Sequence, residues 1–143
     1  IQVHQITSSM KRIIYFILAA IFLGAGLWVY NEYNRGPVSV KNLQADFEVT
    51  ANQLLEEFDA DESKANEKYL DKVVLVTGVI LEVEKEEAVN VIMETNDPLK
   101  RIICEMQDIE QVEDIQLGDE VKIKAKCSGF LMDVVLVNGV VIE

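Results

Sequence analysis

One histidine, His4, and two cysteines, Cys104 and Cys127, are the whole supply of imidazole and thiol in 143 residues. General-base catalysis, a Ser-His-Asp relay and most zinc sites draw on histidine. His4 stands ahead of a long apolar run, so the rest of the chain has none. Two cysteines without further ligands cannot hold a structural zinc, and they do not form a Cys-x-x-Cys pair. Acidic pairs such as Glu86-Glu87 and Asp59/Asp61 have donors for calcium, yet nothing follows the Asp-x-Asp-x-Asp-Gly loop pattern. They read as solvated faces. No catalytic residue, metal site or cofactor is assigned, and the chain reads as non-enzymatic.

What remains is recognition chemistry. Glu82, Glu84 and Glu86 alternate at strand spacing, and so do Lys122, Lys124 and Lys126. Alternate residues share one face of a strand. The two rows therefore read as opposed partners on neighbouring strands, each pair contributing about 0.2–1 kcal/mol and fixing register. If the rows lay on separate faces, the lysines would instead form an anion site. Cys104 and Cys127 alternate in phase with apolar neighbours (Ile102 and Met106; Ile123 and Ala125), which points both inward. Two readings stay open for them: reduced core thiols, or one disulfide, which needs α-carbons within about 7 Å.

The elements that must position these residues begin with a tether. Ile13–Tyr30 runs eighteen residues without a charge, directly after Lys11-Arg12. At about 1.5 Å per residue that is about 27 Å of helix, close to a bilayer core. The positive pair before the span, and near-neutral charge after it, put the N-terminus in the cytoplasm and the remainder outside it. Trp28, Tyr30 and Tyr33 gather at the exit side, where amphipathic rings favour the headgroup layer. A cleaved signal shares part of this pattern. Gly24-Ala25-Gly26 is a poor cleavage site before Leu27 and Trp28, however, and no lipid-attachment cysteine follows. Met10-Lys11-Arg12 reads as a more natural start than residues 1–9.

The expected organisation is a short cytoplasmic N-terminus at 1–12, an anchor at 13–30, a linker at 31–42 around Gly36-Pro37, and one domain at 43–143. Its first part, 43–71, reads as helical. Thr50 and Gln53 form a capping-box pattern ahead of Ala51, Leu54, Leu55 and Phe58 at helical spacing. A second helix follows Asp59-Ala60-Asp61, with Ala65 and Tyr69 on one face. From Lys72 the period changes to two, opening a barrel at 72–143. A long strand Val73–Lys85 is expected to bend at Gly78. Strands at Ala88–Glu94 and Arg101–Met106 come next, then one or two helical turns within Asp108–Ile115. Strands over Glu120–Cys127 and, after Ser128-Gly129, Leu131–Ile142 complete the set, with Asn138-Gly139 read as a kink or a hairpin-type turn. Five strands with a helical interruption between the third and fourth is the order of the OB-fold, a five-stranded Greek-key barrel. The fold class is mainly β with α, with one or two short helices and an N-terminal transmembrane helix ahead of the barrel.

The run Ala45-Asp46-Phe47, Thr50-Ala51, Leu54-Leu55-Glu56 and Phe58, then Ala65-Asn66, Lys68-Tyr69, Lys72 and Val76-Thr77-Gly78-Val79, resembles the tRNA_anti-like family. Later segments agree: Cys104, Leu117 to Lys124, Cys127-Ser128-Gly129, and Asp133-Val134-Val135-Leu136. The resemblance covers residues 43–143. It implies an OB-fold domain of an exported or membrane-anchored bacterial envelope protein, and a name that reflects likeness to anticodon-binding domains. Ala125-Lys126 departs from the family, whose members often carry glycine before the second cysteine segment.

OB-folds that hold single-stranded nucleic acid use a basic groove and stacked rings, each base contributing about 1–3 kcal/mol. From Val73 onward the chain has one aromatic residue, Phe130, and 15 acidic against 6 basic residues. From Asn31 onward it has 25 acidic and 11 basic residues. This balance weighs against nucleic acid as partner. The expected function is a membrane-anchored binding module of the cell envelope, taking a protein, peptide or carbohydrate; a single-stranded nucleic-acid binder is the alternative. The expected contact surface is the outer barrel face of the second and third strands, through Asn90, Ile92, Glu94, Arg101 and Ile103, by analogy with the fold.

Overall fold

The computed structural model describes residues 3–34 and 39–142, with side chains from residue 13 onward except residue 32. The chain divides into two units, residues 1–36 and 37–143. Gly36-Pro37, within the expected linker, lies outside the described residues. The first unit is one helix, α1 (Val3–Tyr33). Its stretch Ile13–Asn31, mean hydropathy 2.2, is long and apolar enough to cross a membrane. Apolar residues occupy every side of it, the pattern of a helix surrounded by apolar material, as in a membrane span or a large core.

The second unit enters through a 3₁₀ turn, Val40–Asn42, inside the stretch expected as linker. Val40 is buried. Lys124 Nζ donates to the carbonyls of Lys41 (2.9 Å) and Leu43 (2.7 Å), which ties this strap to the barrel. Next comes β1 (Phe47–Thr50), a strand within the region expected to be helical. It pairs in parallel with Val74–Thr77, some 27 positions along the chain, where no turn chemistry marks the connection. Asp46 helps set the register by accepting from Val73 N (2.9 Å).

Thr50 ends β1 and caps α2 (Ala51–Ala60), with the expected capping box complete: Thr50 Oγ1 accepts from Gln53 N, and Gln53 Oε1 accepts from Thr50 N. Ala51, Leu54, Leu55 and Phe58 are buried as their spacing requires. Asp61 caps α3 (Glu62–Tyr69), which buries Ala65 and Tyr69.

The barrel consists of β2 (Val73–Lys85), β3 (Val89–Met93), β4 (Ile102–Met106), β5 (Glu120–Leu131) and β6 (Asp133–Ile142). A 3₁₀ turn, Glu110–Val112, lies between β4 and β5. Strand order is β2-β3-β4-β6-β5, closed by β2–β5 pairing, with β1 added outside the closure. This is the expected five-stranded OB barrel plus one strand. Its inner rows are aliphatic, among them Val74, Val76, Val91, Ile102, Ile123, Val134 and Leu136.

Closure depends on bulges, which bend a strand by adding one unpaired residue. In β2 the extra residue is Leu81, between the Ile80–Met93 and Glu82–Ile92 pairs, not Gly78 as expected. Gly78 meets a packing demand: a Cβ there would lie 2.8 Å from Met93 Sδ and 3.1 Å from Ala51 Cβ. Ser128-Gly129 does not separate two strands but forms a bulge inside β5, with Gly129 at φ +122°. The turn falls instead at Met132, φ 77°. In β6 a bulge at Asn138 (φ 56°) shifts register toward both β4 and β5.

Candidate functional site

The outer side of β3 and β4 carries the expected face. Asn90 pairs with Glu105 and Ile92 with Ile103, and toward β2 the same residues meet Glu84 and Glu82. Ile103 continues the row to Val135 of β6. The structure thus brings Asn90, Ile92 and Ile103 together on one surface. Ile92 requires a correction. It points away from the core side chains Val91 and Met93, yet it is only 1% exposed and offers no contact area. Alternation identifies the side of a strand a residue faces, not how deeply its neighbours cover it.

Glu94 and Arg101 sit at the end of this face, flanking the loop between β3 and β4. They line a cleft of about 400 Å³ together with Leu81, Asp97 and Lys100. The loop is pinned to α2: Asn52 Oδ1 accepts from Asn96 N (2.8 Å), and Lys100 Nζ meets Asp59 Oδ1 at 2.6 Å. That carboxylate raises the Lys100 pKa. Within the loop, Thr95 Oγ1 donates to the Asp97 and Lys100 carbonyls. Arg101 is anchored at its backbone, where its N–H donates to Asp133 Oδ1 (2.7 Å) and its carbonyl accepts from Val134 N (3.1 Å). Its guanidinium lies 4.0 Å from the same aspartate.

Those bonds bring the β5–β6 turn beside the β3–β4 loop, and with it a group that alternation did not reveal. Leu99, Leu131 and Met132 are 84%, 85% and 79% exposed at this end of the barrel. Leu131-Met132 was expected within a strand, so neither was a candidate for a loop tip. The sequence clue was two large apolar residues next to Ser128-Gly129 and Asp133.

The remaining candidates behave differently. Cys104 and Cys127 both point inward, as expected, and both are free thiols. Leu136 pairs with Cys104 on one side and Cys127 on the other. The cysteines are therefore two strand spacings apart, about 9–10 Å, beyond disulfide reach. Burial pushes the Cys104 thiol up to about 12 and raises that of Cys127. Both lie in the core, unlike reactive cysteines, which sit in partly exposed, electropositive settings. The lysine row does not face the glutamates: Lys122, Lys124 and Lys126 pair with Thr77, Leu75 and Val73. Glu82 and Glu84 lie beyond the Leu81 bulge, where β2 has changed neighbour to β3. Lys124 holds the entry strap and Lys126 pairs with Asp71 at 2.8 Å. Phe130 is stacked on Phe58, with ring centroids 5.6 Å apart. Among the described residues no His/Cys/Asp/Glu group is arranged to hold a metal ion.

One family model matches the chain. The tRNA_anti-like model covers residues 8–141. The chain belongs to that family. Among solved structures, this tRNA_anti-like protein is similar to a lipoprotein from Klebsiella pneumoniae subsp. pneumoniae named as a candidate nucleic acid-binding protein. The two share 25% identity and a TM-score of 0.55, over 66% of this chain and 91% of the other. A second likeness, to a candidate aspartyl-tRNA synthetase from Leishmania major, has 12% identity and a TM-score of 0.45, over 84% of this chain and 26% of that one. No curated protein matches the chain.

Proposed function

We propose that the protein is a non-enzymatic OB-fold binding module of the bacterial cell envelope. Residues 13–30 anchor it in the cytoplasmic membrane, its barrel lies outside the cytoplasm, and its partner is another envelope protein. One observation carries the choice of partner: Leu99, Leu131 and Met132 protrude at 84%, 85% and 79% exposure beside Arg101 and the Ile103 face. Exposed apolar clusters rimmed by polar groups mark protein interaction sites. Asn90, Glu94, Arg101 and Ile103 form the adjoining polar and half-buried surface.

The test is cross-linking and co-purification of the full chain in mild detergent, beside a Leu99→Ser/Leu131→Ser/Met132→Ser variant. A stable complex that the triple variant loses supports the reading. A complex indifferent to those three residues overturns it. Nucleic-acid binding is a second reading, favoured by the description given to the Klebsiella lipoprotein. Fluorescence titration with single-stranded oligonucleotides at low salt separates the two. Binding that weakens steeply with added salt would favour the nucleic acid.

A further inference from the structure

We propose that the free edge of β1 is a docking site for an extended peptide segment bearing lysine or arginine, which adds a strand beside Phe47–Thr50. The barrel closes without β1, and among the described strands β2 is its one neighbour. The opposite edge therefore presents backbone N–H and C=O groups without a strand partner, the template used in strand addition. Beside that edge is an open groove of about 380 Å³, lined by Glu48 and Val49 of β1 and by Gln53, Glu56, Glu57 and Ala60 of α2. The α2 residues recur three and four apart, so they form one helix face turned to the strand. One wall offers backbone pairing and the other offers side-chain selection.

Charge selects the occupant. Three carboxylates line the groove, and no basic side chain does. Lys68 meets Glu57 at 2.7 Å, while Glu48 and Glu56 have no cationic partner among the described residues. From Asn31 onward, 25 acidic residues against 11 basic ones extend the same sign over the surroundings. Such a field steers cationic segments in and repels acidic peptides and nucleic acids. This site uses neither the Leu99–Leu131–Met132 tip nor the β3–β4 face, so it stands or falls separately from the function proposed above.

The test uses the full chain in phosphatidylcholine nanodiscs and a fluorescein-labelled Lys-Val-Lys-Val-Lys-Val peptide. A second peptide, N-methylated at every valine, keeps the charge but cannot donate from those positions. Anisotropy should show binding that falls at least tenfold on N-methylation, and as much with the Glu48→Lys/Glu56→Lys variant. Amide hydrogen exchange should slow within residues 47–49 on adding the first peptide, the Thr50 N–H being already held by Gln53 Oε1. Equal binding of both peptides, protection confined to β3 and β4, or no binding overturns the proposal. Both substituted side chains are exposed, and the N-methylation arm decides the matter even if the variant does not fold.

Discussion

Replacing Tyr69 with phenylalanine should stabilise the domain. Tyr69 is 0% exposed, and its hydroxyl is buried without a hydrogen bond of good geometry, although Lys68 and Glu57 lie close enough to influence its ionisation. Its ring packs edge-on to Phe47 at 5.1 Å and lies 6.1 Å from Phe58, contacts that phenylalanine retains. Lys68 Nζ sits 4.6 Å from the ring centre and also survives the change. That ammonium donates instead to both Glu57 oxygens, at 3.0 and 2.7 Å, which raises its pKa. A buried hydroxyl without a partner costs about 1–3 kcal/mol. Removing it leaves a gap the size of one oxygen, which takes back part of the gain. The net expectation is about 1–2 kcal/mol, with each kcal/mol raising the melting midpoint by about 4–8 °C in a domain near this size. Thermal and urea denaturation of the full chain in detergent, followed by circular dichroism, measure both quantities. A loss of 1 kcal/mol or more would refute the reasoning, because the hydroxyl would then have a partner. Repeating the change in a Lys68→Met background would identify it: a loss that vanishes there assigns the bond to Lys68.

Two further perturbations probe the core. Gly139→Ala should destabilise by about 1–3 kcal/mol, the range for overpacking: the new Cβ would lie 2.9 Å from Met106 Sδ and 3.2 Å from the Glu105 carbonyl oxygen. Adding Met106→Ala should not relieve it fully, because the backbone oxygen stays, and full recovery in urea titrations would show the clash to be side-chain only. The second perturbation is pH. Burial raises the Cys104 pKa from 9.0 to about 12, so between those values the unfolded chain loses the thiol proton and the folded one keeps it. The stabilisation is complete below pH 9 and declines by about 1.4 kcal/mol per unit as pH rises toward 12. Cys104→Ala should flatten that decline in denaturation midpoints between pH 8.5 and 11; an unchanged slope would exclude the thiol as its source.

Elements whose signals are local were legible in the chain. Thr50 and Gln53 cap α2 through side chains three residues apart, and the apolar spacing of Leu54, Leu55, Phe58, Ala65 and Tyr69 chose the buried helix faces. Strand cores were legible for the same reason, because period two needs only neighbours. What failed was long-range. β1 has four residues, and its identity as a strand depends on Val74–Thr77 lying beside it. Ser128-Gly129 has turn chemistry, but the same φ > 0 freedom serves a bulge, and only the partner strand decides between them. The expected Glu/Lys pairing failed because β2 changes neighbours along its length: β5 flanks Val73–Val79, and β3 flanks Ile80–Lys85. Periodicity assigned the face of each row correctly and carried no information about what lay across from it.

That failed pairing bears on how far the fold argues for nucleic acid. With the glutamates elsewhere, the lysine row could have been an anion site, yet most of the barrel's cations are engaged within the protein. Lys124 binds two carbonyls, Lys126 meets Asp71, Lys100 meets Asp59, and Arg101 lies against Asp133. A phosphate chain would have to displace these partners, which offsets part of the gain from counterion release. It would also gain no stacking from Phe130, whose ring already lies on Phe58. An OB barrel provides the shape of a binding face whatever it binds; the groups on that face select the ligand. Here they are apolar tips and a carboxylate-rich rim, and the protein partner proposed above rests on them.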